Sequence, residues 1–125
     1  MAYSEGTTII TLPAATDLST KQYHFVIVDT NGQAALSAAD QNAIGILQNK
    51  PDAQGRAASV LISGASKLTC GAAAIRAGYN IGVDANGRGV EKTGASDPTL
   101  GIVIETASNA GEIATVVFSP NGVLA

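Results

Sequence analysis

Apolar residues in this chain come in short runs broken by turn formers, with no helical period. The runs are Thr7–Leu12 (TTIITL), Phe25–Val28, Gly45–Leu47, Ser59–Ile62, Ile81–Val83, Gly101–Ile104 and Thr115–Phe118. Short runs rich in Val, Ile and Thr, bounded by Gly, Pro and Asn, predict β-strands. Pro13 ends the first, because proline cannot donate to a ladder. Ser66–Thr69 (SKLT) reads as a further strand. Ala35–Ala43 and Gly71–Ala77 each read as a short helical turn, too short to stand alone. The runs Ser59–Ile62 and Thr115–Phe118 are too continuous for a strand with one wet face and are expected in the core. About eight to ten short strands with frequent turns predict a mainly β fold, a compact antiparallel β-barrel or β-sandwich with at most one or two short helical turns.

The chain also repeats itself, and this sets its architecture. A first copy spans residues 23–63 and a second 79–119. Asp29, Asn31 and Gly32 match Asp84, Asn86 and Gly87 at an offset of 55. Gly45, Gly55, Val60 and Ser63 match Gly101, Gly111, Val116 and Ser119 at an offset of 56. In both copies an apolar run precedes Asn-Gly, the dipeptide of the type I′ hairpin turn, so Asn31–Gly32 and Asn86–Gly87 are expected to be hairpin turns. Pseudo-twofold symmetry between the copies follows. Thr7–Leu12 falls outside both copies and reads as an extra strand.

Composition narrows the function. The 125 residues fit one domain, 1–125. Apolar residues make up 46% of the chain but aromatics only 4%, so Ala, Val, Ile and Leu build the core. A core that light gains from oligomerisation or a partner. Net charge is −3 and the seven Lys and Arg are scattered, so no basic stripe exists for nucleic acid. No apolar stretch nears the ~20 residues of a membrane span. The N-terminus lacks the basic-then-apolar pattern of a signal peptide. A lone Cys70 cannot make an intramolecular disulfide, which suits synthesis in a cytoplasm.

Candidate chemistry is sparse. D-x-N-G at Asp29 and Asp84 faintly suggests a calcium loop, but that loop has Gly at position six and Glu at twelve. Here the glycines fall at position four, and an Asx-type turn explains both segments. His24 is the single histidine, and the second copy has Asn80 in that place. No G-x-S-x-G elbow accompanies it, since Gly64-Ala65-Ser66-Lys67-Leu68 breaks at the last position. Cys70 before a helical turn would have a lowered pKa; as a buried small apolar residue it needs no role. One His and one Cys cannot form an all-protein zinc site, and Gly87-Arg88-Gly89 lacks the phosphate-loop frame. The expectation is no catalytic residue, no metal and no cofactor. A small hydrolase would depend on His24, and a stand-alone ligand-binding module would declare itself by ligand-dependent melting.

From Gly71 to Ser119 the order of motifs carries a resemblance. The motifs are Ala74-Ile75-Arg76-Ala77-Gly78, Val83-Asp84-Ala85-Asn86-Gly87, Leu100-Gly101-Ile102-Val103, Ala110-Gly111-Glu112 and Val116-Val117-Phe118-Ser119-Pro120. In this order they resemble the cement, or head decoration, proteins of tailed phages, with a weaker match through the first copy. The resemblance implies a structural virion protein on the outer capsid surface. It implies a homotrimer that bridges major capsid protein subunits, and it carries no catalytic residues. The alternative is a head fibre base or receptor-binding module. Many such proteins contact the capsid through an N-terminal arm, here the segment 1–10: Ala2, Tyr3, Ser4, Glu5, Gly6, Thr7, Thr8, Ile9 and Ile10. Thr8–Ile10 could then add a strand to a neighbour's sheet edge. The other reading of this segment is a frayed terminus.

Overall fold

The computed structural model describes residues 7–39, 43–94 and 98–123. The strands are β1 (Thr8–Pro13), β2 (Phe25–Val28), β3 (Ala34–Leu36), β4 (Gly45–Leu47), β5 (Ala57–Thr69), β6 (Asn80–Val83), β7 (Gly89–Glu91), β8 (Pro98–Glu105) and β9 (Ile113–Val123); all but β3 and β7 form where the apolar runs predict them. They make one sheet in the order β3-β2-β4-β5-β9-β8-β6-β7, with β1 also on β5 and every named pair antiparallel. The fold is mainly β, a curled half-barrel sheet.

Strand β5 organises the molecule. Ser66–Thr69, expected as a separate strand, is the second half of β5. The chain turns at Gly64, in left-handed backbone (φ 111), and continues in the ladder. The first half of β5 lies between β4 and β1, and its second half lies against β9. Two wings result. The first runs β3-β2-β4-β5-β1, and the second runs β7-β6-β8-β9 and ends on the second half of β5.

The wings correspond pair for pair. Moved along by 56 residues, Pro13↔Ala57, Leu12↔Ala58, Thr11↔Ser59 and Ile10↔Val60 become Thr69↔Ile113, Leu68↔Ala114, Lys67↔Thr115 and Ser66↔Val116. Strand β1 is therefore the counterpart of the second half of β5 and belongs inside the recurring unit. The ends of the wings match too. Parallel bridges Ala14↔Ala34 and Cys70↔Gly89 draw together the outer strands of each wing and curl it toward a barrel. The amides of Ala15 and Gly71 donate to Ala34 O and Gly89 O, both at 2.8 Å.

The slip in the repeat now has a place. Phe25↔Ile46 corresponds to Asn80↔Ile102, so the counterpart of Asn80 in the first copy is Phe25 and not His24. Tyr23 N donates to Leu47 O, and Gly78 N to Val103 O. Tyr23 is thus the counterpart of Gly78, and both have positive φ, 63° and 89°. The tyrosine is the one non-glycine residue in that conformation among the described residues. It packs on the core and holds Lys67 over its ring at 5.8 Å.

No helix occurs among the described residues. In Ala35–Ala43 the first two residues lie in β3, and 40–42 are outside the description. Gly71–Ala77 is loop, with Ile75 held in a two-hydrogen-bond bridge to Ala107 at 2.9 Å. Neither sequence carries a capped apolar stripe, and described backbone groups in each find tertiary partners instead, as Ser37 N does in Phe25 O at 3.0 Å.

Two apolar clusters fill the interior. The first wing encloses Ala14, Leu18, Val26, Ala34, Leu47, Ala58 and Val60. The larger cluster holds the second wing's interior, with Leu68, Ile75, Ile81, Val103, Val116 and Phe118. It also takes in Phe25, Ile46 and Leu61 of the first wing. The rings of Phe25 and Phe118 lie 6.1 Å apart across this junction. The second wing thus sits on the outer face of the first.

Candidate functional site

The two Asn-Gly segments share one geometry. Asp29 N donates to Gln33 O at 2.9 Å and Gly32 N to Asp29 O at 3.1 Å; Asp84 N donates to Arg88 O at 2.9 Å and Gly87 N to Asp84 O at 3.3 Å. Gly32 and Gly87 have φ of 75° and 77°, while Asn31 and Asn86 stay at negative φ. A type I′ turn needs positive φ at both central residues. These hairpins are type I turns followed by a bulge glycine, a three-residue solution with the same right-handed twist. Asp29 Oδ1 accepts the amides of Asn31 and Gln33, each at 2.9 Å. Asp84 Oδ1 does the same for Asn86 at 2.8 Å and Arg88 at 2.9 Å. Those carboxylates are committed to the turns, and no group of three or more His, Cys, Asp or Glu is placed to hold a metal ion among the described residues.

Equal in local shape, the turns differ in surroundings. Gly32 is exposed, with open space where a Cβ would go. Gly87 is buried, and a Cβ there would stand 2.5 Å from Leu36 Cδ1 and 3.2 Å from Phe25 O. Phe25 N donates to Gly87 O at 2.7 Å. The second turn is a docking element between the wings, and the first meets no partner surface among the described residues.

A groove of about 410 Å³ opens where β5 bends. Thr7 and Ile9 form one wall, Tyr23, Gln48 and Leu61 another, and Ala65–Lys67 with Glu105 and Thr115 the third. Gln48 Nε2 donates to Ser66 Oγ at 2.8 Å, and Thr115 Oγ1 donates to Glu105 Oε1. The arrangement offers an apolar trough with a cation, Lys67, and an anion, Glu105, on its rim. His24 does not line it. That ring is 8% exposed, with Nδ1 3.1 Å from Gln22 O, and burial pushes its pKa down, helped by Lys21 and Arg88. Burial likewise pushes the Cys70 thiol up, and its Sγ–H donates to Ala73 O at 2.9 Å. That is the opposite of a helix-activated thiol.

The candidate arm divides. Ala2, Tyr3, Ser4, Glu5 and Gly6 lie outside the described residues. Thr7 packs on Gly64, and Thr8, Ile9 and Ile10 are strand β1, paired with Ser63, Leu61 and Val60 of their own chain. This ladder occupies one edge of Thr8–Ile10, so strand addition to a neighbour would use the other edge of β1.

The feature that sequence reading missed is an exposed apolar row. Residues directly opposite in a ladder share a face. Ile102↔Val117 and Val117↔Ala65 make such a row on the second wing, and Ile104 and Ile113 lie near it. Ile102, Val117, Ile104 and Ile113 are 44%, 37%, 36% and 46% exposed. Thr115–Phe118 was expected wholly in the core, but β9 alternates, with Val116 and Phe118 buried and Val117 outward. The row is rimmed by Lys67 and Glu105, whose strand positions flank Thr115.

Three comparisons place the chain. The model of the phage cement protein family matches residues 3–119. A solved structure, the N base of the head fibre gp8.5 of bacteriophage phi29, superposes with a TM-score of 0.70 at 18% identity, covering 95% of this chain and 98% of that one. That likeness shows a shared fold. No curated protein matches the sequence.

Proposed function

The chain belongs to the phage cement protein family, which makes it a structural protein of the phage capsid, and we propose that it binds the outside of the assembled head and stabilises it by bridging neighbouring major capsid subunits, as a homotrimer. The carrying observation is the family match across nearly the whole described fold. The site chemistry supports the same reading. Turn carboxylates are occupied by backbone amides, the single histidine and cysteine are buried, and large apolar side chains, Ile102, Ile104, Ile113 and Val117 among them, reach the surface. Such a surface is suited to docking on protein.

A bridging protein touches surfaces that come together only on assembly. Linked weak contacts then act at high effective concentration, and avidity exceeds one contact by about 10²–10⁴. With a net charge of −3, shape dominates over steering, so moderate salt matters little. The test is cosedimentation with empty expanded heads beside soluble capsid monomers. Binding to heads alone is expected, and equal binding to both rejects bridging.

The fold match to a head fibre base favours a second reading, attachment of a projecting fibre. Imaging virions with and without the protein separates them. Low density spread over the capsid surface supports cement, and a stalk supports the fibre base.

A further inference from the structure

The two wings present equivalent outer rows with different fates. In the first wing the row is Phe25, Ile46, Leu61 and Ile9; in the second it is Asn80, Ile102, Val117 and Ala65. Phe25, Ile46 and Leu61 are 0%, 0% and 2% exposed, because the second wing covers them. Ile102 and Val117 hold the same places and are 44% and 37% exposed, with no described element over them.

The covering side shows the mirror of this. The second wing covers the first with the Asp84–Arg88 turn, Val83 and Phe118. Their first-wing counterparts are the Asp29–Gln33 turn, Val28 and Ile62. Val83 is 2% exposed and Val28 41%, and Gly87 is buried where Gly32 is exposed. The chain therefore carries one used copy of a turn-on-row contact and the two unused halves of a second.

We propose that the unused halves meet between copies: the Asp29–Gln33 turn and Val28 of one molecule dock on the Ile102–Val117 row of the next, head to tail, as the second wing docks on the first within the chain. This rests on the self-association in the proposed function and assigns its surface. Such a contact is heterologous, so it builds rings when the rotation closes, and a trimer is the size read here. Asn80 for Phe25, and Glu91 for Leu36, make the copy-to-copy contact more polar than the wing-to-wing one. Interfaces between chains that also exist apart have this character. Association should therefore be reversible and depend on concentration.

The experiment uses the full chain. Sedimentation velocity across a concentration series should show monomers giving way to a trimer. Ile102→Lys, Val117→Lys and Val28→Lys, all at exposed positions, should each melt like the wild type at dilutions where both are monomeric, and weaken association by about tenfold or more. Mixed Val28→Cys and Ile102→Cys proteins should form the 28–102 disulfide, identified by peptide mass, in preference to 28–28 or 102–102. A wild type that stays monomeric throughout overturns both this contact and the trimer. A trimer unaffected by the three lysines, or one linked 102–102, overturns this surface and leaves the trimer standing.

Discussion

Substituting alanine at Gly32 and Gly87 separates what the turn itself contributes from what its docking contributes. Both glycines have φ near 75°. Alanine in left-handed backbone costs about 1–2 kcal/mol, offset by about 0.4–1 kcal/mol from a stiffer unfolded chain. Gly32→Ala meets open space, so its net cost is about 1 kcal/mol. Gly87→Ala carries the same backbone cost and also places Cβ 2.5 Å from Leu36 Cδ1. Leu36 must move, or the turn must lift away from Phe25 and weaken the Gly87 O bond. Overpacking of this kind adds about 1–3 kcal/mol. The expected losses are about 1 kcal/mol at Gly32 and about 2–4 kcal/mol at Gly87. For a chain of this size about 4 °C of melting temperature accompanies each kcal/mol. Urea unfolding of both variants measures the difference. A Leu36→Ala, Gly87→Ala cycle then tests its cause, because the double variant should lose less than the sum of the singles. Equal losses at the two glycines, or strict additivity in the cycle, would refute the docking role of the second turn.

Other outcomes follow from the same geometry. Because His24 has a folded pKa below its ordinary value, the unfolded chain binds the extra proton first, and stability falls as pH drops through about 6.5 toward the folded value. Thermal melts from pH 7.5 to 5 should show that fall in the wild type, and a His24→Gln variant with the same slope would contradict it. Cys70, buried and with a raised pKa, should resist a thiol reagent in native buffer at pH 8 and react fully in urea; fast native labelling would place it at the surface. Removing residues 1–6 should leave the melting temperature unchanged and lower binding to heads, whereas removing 1–10 also deletes the β1 rungs on Ser63, Leu61 and Val60 and should lower the melting temperature itself. Undiminished head binding without residues 1–6 would dismiss the arm.

The apolar runs and their turn residues were enough to place most strands, because a strand of three to six residues is chosen by local pattern. Asp29 and Asp84, each followed by Asn-Gly, marked both hairpins for the same reason: an Asx side chain satisfies its own turn. The turn type escaped, since Asn-Gly suits more than one way of reversing the chain. The recurring unit was legible from Tyr23 onward, where glycines fix the spacing. Strand β1 and the second half of β5 share only pairing positions, such as Leu12 with Leu68, so their equivalence waited for the ladder.

The surface was decided by tertiary structure alone. Val60-Leu61-Ile62 and Val116-Val117-Phe118 are nearly the same string, and sequence assigned both to the core. Leu61 is covered because the second wing packs over its face, and Val117 is exposed because no described element packs over the equivalent face of that wing. Burial depends on what packs against a face, and a run of β-branched residues states only that both faces of a strand are apolar. Which of two equal faces meets a neighbour is a property of how the copies are stacked.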